Sequence, residues 1–264
     1  LVLDGQQRLL TLENFYNGVF QGKEFVLEKV QDQWMQKTYK TLNADDRRRL
    51  DDSIIHATIV RQDEPTEDQG SVYLIFERLN SGGTFLQPQE IRVALYYGAF
   101  ASVLSKLNED ADWRALYGNK SSRLKDIELI LRFLALYFYA GSYRRPMKEF
   151  LNRYMATNRA LAKQPEQLLR TVFQNTVSTI LKGIGVRAFR PKTSVNAAVL
   201  DSVMVGLATR LARGPVTAHD RLKMAYDELL LNVSYAEATI HSTADEESVR
   251  QRLQLAKDAF AEVP

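Results

Sequence analysis

The chain has 264 residues, 45% of them apolar and 25% charged, with a formal net charge of +3. That length allows one large domain or two ordinary ones, each with a sizeable core, and the charge permits contact with nucleic acid without requiring it. There is no cysteine, which excludes disulfides and thiolate metal sites and suits the cytoplasm; no apolar run reaches membrane-spanning length and no signal peptide precedes the fold, so no membrane partner is expected.

Leu1–Leu3 reads as a strand that breaks at Asp4-Gly5 and runs into a helix at Gln6-Gln7-Arg8. A strand at residue 1 with no Met reads as cut from something longer. The spacing predicts that the helix continues from Thr11 to Phe20, with Asn17-Gly18 weakening its end, and that Lys23–Val30 forms a strand entered through Gln21-Gly22. Asn43 is a good N-cap for a helix through Asp51. Ser53–Arg61, rich in Ile, Val and Thr, reads as a strand, Glu64–Gly70 as an acidic loop, and Val72–Leu79 as a helix ending at Asn80-Ser81-Gly82-Gly83.

From Gln89 onward nearly everything is helical. Pro88 suits a first helical position, and Ile91, Leu95, Ala99 and Leu107 keep one face. Ile127, Ile130, Leu131, Leu134 and Phe138 follow an i, i+3, i+4 pattern, with Leu129, Phe133, Leu136 and Tyr137 on the other side, so this helix should be central and buried on most faces. Further helices are predicted over 147–161, 165–184, 194–212, 217–231 and 245–260.

Several constellations could carry chemistry. At Asp4-Gly5-Gln6-Gln7-Arg8 a carboxylate, two amides and a guanidinium meet at a helix start, where unpaired N–H groups and the helix dipole favour phosphate oxygens. The alternative is a surface corner. Asn80-Ser81-Gly82-Gly83, flanked by Arg78, could form an anion-binding nest or serve only as a helix C-cap. Glu90 stands where a capping-box acid would stand, with Gln87 as an imperfect N-cap, and Arg92 could add charge to the glycine loop. Arg132, on a very apolar helix, needs a partner or an edge to snorkel from; Glu128 is one available partner. Arg187, Arg190 and Lys192, around Phe189, could hold a nucleic-acid backbone or be solvated loop residues. His56, His219 and His241 have no metal-ligand spacing, and neither a Walker loop nor a G-x-S-x-G elbow occurs.

Taken together, V-L-D-G-Q-Q-R-L-L-T-L and F-E-R-L-N-S-G-G-T-F-L-Q-P-Q-E-I-R, with D-I-E-L-I-L-R-F-L-A-L around Arg132 and N-A-A-V-L-D around Asp201, resemble the N-terminal domain of GmrSD-type restriction endonucleases, a family related to the ParB-like nucleases. The resemblance implies a mainly α protein with a small α/β part: residues 1–86 a ParB-like part carrying the DGQQR turn and lacking its upstream segment, packed on a helical part over 87–264. It implies a nucleotide-dependent module of bacterial defence against phage with modified DNA. In that family the DGQQR turn is thought to bind and hydrolyse nucleoside triphosphate, or to take part in cutting DNA. Asp4, Gln6, Gln7 and Arg8 would then be catalytic, with Asp4 on Mg²⁺. Gly5, Arg78, Asn80, Gly82 and Gly83 would bind nucleotide. DNA and a separate or fused HNH nuclease domain are the implied partners. The sequence departs from the family in lacking that upstream segment and an HNH domain, which leaves open whether the chain alone is active. Gln87 also replaces a small hydroxyl residue at its helix cap. The alternative to an enzyme is a non-catalytic nucleotide- or DNA-binding module that controls a partner nuclease.

Overall fold

The computed structural model describes residues 5–59, 70–79 and 86–264. They belong to two compact units, residues 1–63 and 64–264. The protein is mainly α with a small strand part, as expected. The expected division after residue 86 lies inside the second unit, just before the helix that opens at Pro88.

The first unit opens with α1 (Gln6–Asn17). This helix stops three residues short of the predicted Phe20. Gly18 adopts φ 75°, and its N–H caps the carbonyls of Asn14 and Phe15. That left-handed turn is cheap only for glycine and releases the chain into a hairpin. Val19–Phe20 (β1) pairs antiparallel with Lys23–Glu24 (β2). The two-residue loop, Gln21 at φ 51° and Gly22 at φ 78°, has the pair of positive angles of a tight hairpin turn.

The strand predicted over Lys23–Val30 is therefore only two residues long. Beyond it, Leu27 exchanges backbone hydrogen bonds with Gln36 and Lys37, closing a loop instead of extending the sheet. Phe15 meets Phe25 edge-on at 5.4 Å and Tyr39 at 6.2 Å, giving the unit a small aromatic core. Asn43 caps α2 (Ala44–Asp51), its Oδ1 accepting from the Asp46 N–H, as predicted.

Ser53–Ile59 forms no strand, and Ile54 and Ile59 are 79% and 80% exposed. A β-prone composition makes a strand only where a neighbour takes its N–H and C=O groups, and none does so here among the described residues. Leu1–Leu3, the rest of the predicted acidic loop and the Asn80–Gly83 loop lie outside the described residues.

The second unit runs through α3 (Gly70–Leu79), α4 (Pro88–Leu95), α5 (Ala99–Leu107), α6 (Ala111–Tyr117), α7 (Lys125–Tyr139), α8 (Met147–Asn158), α9 (Glu166–Gly183), α10 (Ala197–Leu211), α11 (His219–Leu231), α12 (Val233–Ile240) and α13 (Glu246–Ala261). Its centre is α7 and α10. Ile130, Leu131, Phe133, Leu134 and Leu136 of α7 are fully buried, as the periodicity predicts.

Helix α10 is buried from Ala198 to Ala208 and packs along α13, α7 and α9. Gly206 allows the closest approach: a Cβ there would lie 2.7 Å from the backbone of Ala256 on α13. Ala99 is exposed, because the chain breaks at Tyr96–Gly98 and the predicted continuous face restarts at Phe100. Among the described residues no helix is long and apolar enough to cross a membrane.

Candidate functional site

The DGQQR turn is described from Gly5 onward; Asp4 lies outside the described residues. Gly5 is the N-cap of α1 with φ 86° and ψ 4°, a conformation that L side chains resist. It has a second reason to be glycine. A Cβ at this position would sit 3.3 Å from Arg8 Nη2, so the guanidinium folds back over the start of its own helix.

The Gly5 carbonyl accepts the first helical hydrogen bond, from Leu9 N–H at 2.9 Å. The N–H groups of the first turn thus stand at the positive end of the dipole, where anions are favoured. Gln6, Gln7 and Arg8 are all exposed. An apolar hollow of about 470 Å³ begins farther along the same helix, at Thr11, Leu12 and Phe15, and is walled by Trp34 and Leu42. Gln6, Gln7 and Arg8 are not among the residues that line it.

The second predicted loop is reached only through its flanks. Arg78 is exposed in the last turn of α3, while Asn80, Gly82 and Gly83 lie outside the described residues. Arg78 belongs to the second unit and the DGQQR turn to the first.

Arg92 does not add charge to the glycine loop. It is 1% exposed and its donors are engaged by Glu128 Oε2 at 2.9 Å, Asn152 Oδ1 at 2.8 Å and Gln89 Oε1 at 2.9 Å. Glu90 does cap its helix, accepting from the Gln87 N–H at 2.6 Å, and it also pairs with Arg123 at 2.8 Å.

Arg132 neither snorkels nor pairs with Glu128, which Arg92 occupies. It makes a two-point contact with Asp201 of α10, at 3.2 Å from Nε and 2.5 Å from Nη2. Arg252 of α13 reaches the same carboxylate at 3.3 Å. Asp201 and Arg252 are both fully buried. One carboxylate thus serves two guanidinium groups, and the nearer gains more. Burial would lower the pKa of Arg132, but Asp201, with smaller pulls from Glu128 and Tyr143, outweighs burial and raises it. For Arg252 burial prevails over the weaker pull of Asp201, and its pKa is lowered.

In the basic loop, Phe189 is buried and Arg190 donates to the carbonyls of Leu116 and Tyr117. Arg187 donates to the Lys192 carbonyl at 3.0 Å, and Arg187 and Lys192 are exposed. Asp126, which no motif in the sequence singles out, is a heavily bonded carboxylate. It accepts from Asn108, Arg114 and the N–H groups of Ser121 and Ile127. Burial alone would raise its pKa; the four donors together outweigh burial and hold it below the usual carboxylate value. Among the described residues no group of three or more His, Cys, Asp or Glu side chains could hold a metal.

The molecule is a mainly helical protein whose first unit carries a glycine-opened helix start with two carboxamides and a guanidinium on its first turn. Residues 1–97 match the family described as the GmrSD restriction endonuclease, N-terminal domain. The match spans the whole first unit and continues through α3 and α4 of the second. No curated protein and no solved structure matches the chain.

Proposed function

We propose that the protein is the nucleotide-dependent module of a bacterial restriction system directed at modified DNA, and that it binds and hydrolyses nucleoside triphosphate at the DGQQR turn. The family match over residues 1–97 carries this proposal. It is supported by the local geometry: a left-handed glycine opening α1, with Gln6, Gln7 and Arg8 exposed on the first turn.

Phosphoryl transfer depends chiefly on positioning and on neutralising charge. Arg8 offers a planar fork to phosphate oxygens. Gln6 or Gln7 orients the attacking water by hydrogen bonding. A single carboxylate, Asp4, together with phosphate oxygens and water, is a donor set suited to Mg²⁺, which would supply further charge neutralisation. DNA and an HNH nuclease, fused or separate, complete the proposed system.

Phosphate release from each nucleoside triphosphate with Mg²⁺ tests this, comparing the parent protein with Asp4→Ala and Arg8→Ala. A loss of roughly a hundredfold in either variant is expected. Equal rates in all three would remove the mechanism.

One observation favours a non-catalytic switch that holds nucleotide and controls a partner nuclease. Gln6, Gln7 and Arg8, exposed on the described part of the turn, can hold phosphate but cannot take a proton from water, a task that would fall to Asp4 alone. Isothermal titration beside the turnover assay separates the two cases, because a switch binds nucleotide without releasing phosphate.

A further inference from the structure

The second unit contains a cleft of about 350 Å³ that the proposed activity does not use. Its wall includes first-turn residues of three helices: Gln89 of α4, Lys125 of α7 and Ala197 of α10. Arg132 and Arg123 complete the basic side. Helix starts of eight residues or more carry partial positive charge; here Glu90, Asp126 and Glu128 stand in the first turns of α4 and α7, Asn196 caps α10 and Glu128 is on the wall, so the case for an anion rests on the side chains.

The ion pairs behind this wall do not balance. Arg92 is matched by Glu128 and Arg123 by Glu90, but Arg132 and Arg252 share Asp201 alone. Lys125 is exposed and makes no ion pair among the described residues. Among the described residues this network holds five cations and three carboxylates. Two buried guanidinium groups that share one counter-ion are costly, and an anion beside Arg132 would leave more of Asp201 to Arg252.

Unused donors point the same way. Arg132 is 15% exposed, lines the cleft and gives Nε and Nη2 to Asp201, so Nη1 is not used by that pair. Gln89 is 1% exposed, and its Oε1 accepts from Arg92, which fixes the orientation of the amide. Its Nε2 is then buried with no hydrogen-bond partner. Gln89 is among the residues that line the cleft, and a buried donor without a partner calls for an acceptor, which a ligand in the cleft could bring once the amide shifts toward it.

We propose that this cleft binds the terminal phosphate group of a small phosphorylated ligand, with Lys125, Arg132 and Gln89 as donors. Phosphate presents only acceptors and, as a terminal group, about two negative charges, which matches the excess. A backbone phosphodiester carries a single charge and is flanked by sugar on both sides. It cannot reach donors as recessed as Gln89 and Arg132. The proposal does not rest on nucleotide binding at the DGQQR turn, because Gly5 to Arg8 belong to the other unit.

The test is isothermal titration of the full chain with inorganic tripolyphosphate in the presence of EDTA. The double variant Asp4→Ala/Arg8→Ala, which removes the proposed triphosphate site at the DGQQR turn, is compared with the same protein carrying in addition Lys125→Glu or Gln89→Glu. The double variant should still bind tripolyphosphate. Lys125→Glu and Gln89→Glu should each weaken binding by about tenfold or more. Gln89→Glu keeps the acceptor for Arg92. If its thermal melt shows that it does not fold, Lys125→Glu, an exposed change, decides alone. No binding by the double variant, or an unchanged affinity when Lys125→Glu is added to it, would overturn the proposal. So would a DNA duplex that displaces tripolyphosphate from the double variant and loses affinity when Lys125→Glu is added, which would assign the cleft to DNA.

Discussion

Arg8 of the first unit lies exposed over Gly5, whereas Arg92 and Arg252 of the second are walled in and bonded on several sides. The apolar residues divide in the same way. Leu9, Leu10, Val19, Phe20, Ile54 and Ile59 of the first unit are exposed, while α7 and α10 bury almost every apolar side chain they carry. A guanidinium in a dense core fixes how helices pack; one on a thinly packed surface remains accessible to a ligand. Changing a buried arginine network should therefore alter stability, and changing Arg8 should alter chemistry.

The largest expected effect tests the first half of that contrast. Asp201→Ala leaves Arg132 and Arg252 buried without a counter-charge, and should cost about 3–5 kcal/mol. Urea unfolding of the second unit measures it. A loss below about 1 kcal/mol would mean that the network behaves like a surface pair. The second half of the contrast is tested by Arg8→Ala. Hydrolysis should fall roughly a hundredfold, equivalent to about 3 kcal/mol of barrier. The unfolding free energy should stay within about 1 kcal/mol of the parent, the range of an exposed pair. A stability loss comparable to that of Asp201→Ala would erase the distinction between the two arginines.

What the sequence made legible follows the range of each interaction. Caps and periodic faces depend on residues within one or two turns, so Asn43, Pro88, Glu90 and the buried stripe of α7 could be read directly. Arg132 could be seen to need a partner, yet its partner is 69 residues away on α10, while the nearby Glu128 is taken by Arg92. Pairing across helices is set by packing, which local spacing does not encode. Composition likewise marked Ser53–Ile59 as β-prone but could not supply the neighbouring strand. The DGQQR turn was legible as a motif, and Gly5 bears out its backbone logic. The cleft beside Lys125 was not legible, because its donors come from helices far apart in the chain.

The close approach of α10 and α13 gives the next effect in size. Gly206→Ala places a Cβ 2.7 Å from the Ala256 backbone, so one helix must move. A destabilisation of about 1–3 kcal/mol is expected, again by urea unfolding. An unchanged midpoint would show that the helices slide apart at no cost and that the core is looser than its burial implies. Acid should act on the same unit through Asp126. Its pKa is depressed in the fold, so its contribution is present above the unfolded value, near 3.8, and is lost as pH falls through the lower folded value. Asp126→Asn should flatten the acid limb of the stability profile below that point. An identical acid limb in parent and variant would remove Asp126 as its source.

The smallest effect belongs to the thinly packed side of the comparison. Asn43→Ala removes the acceptor for the Asp46 N–H and the 2.7 Å bond to the Asp46 carboxylate, and should cost about 1 kcal/mol. Helix α2 also supplies Asp46 to the Trp34 indole at 2.8 Å and Asp51 to the hydroxyls of Tyr16 and Tyr39. Fraying at its start should therefore loosen the aromatic core that steadies α1. Amide exchange should speed up in α2 and in the later turns of α1, and leave α7 and α10 unchanged. Faster exchange confined to Ala44–Arg47 would mean that α1, and with it the DGQQR turn, is steadied by something other than α2. Faster exchange reaching α10 would mean that the two units lose structure together.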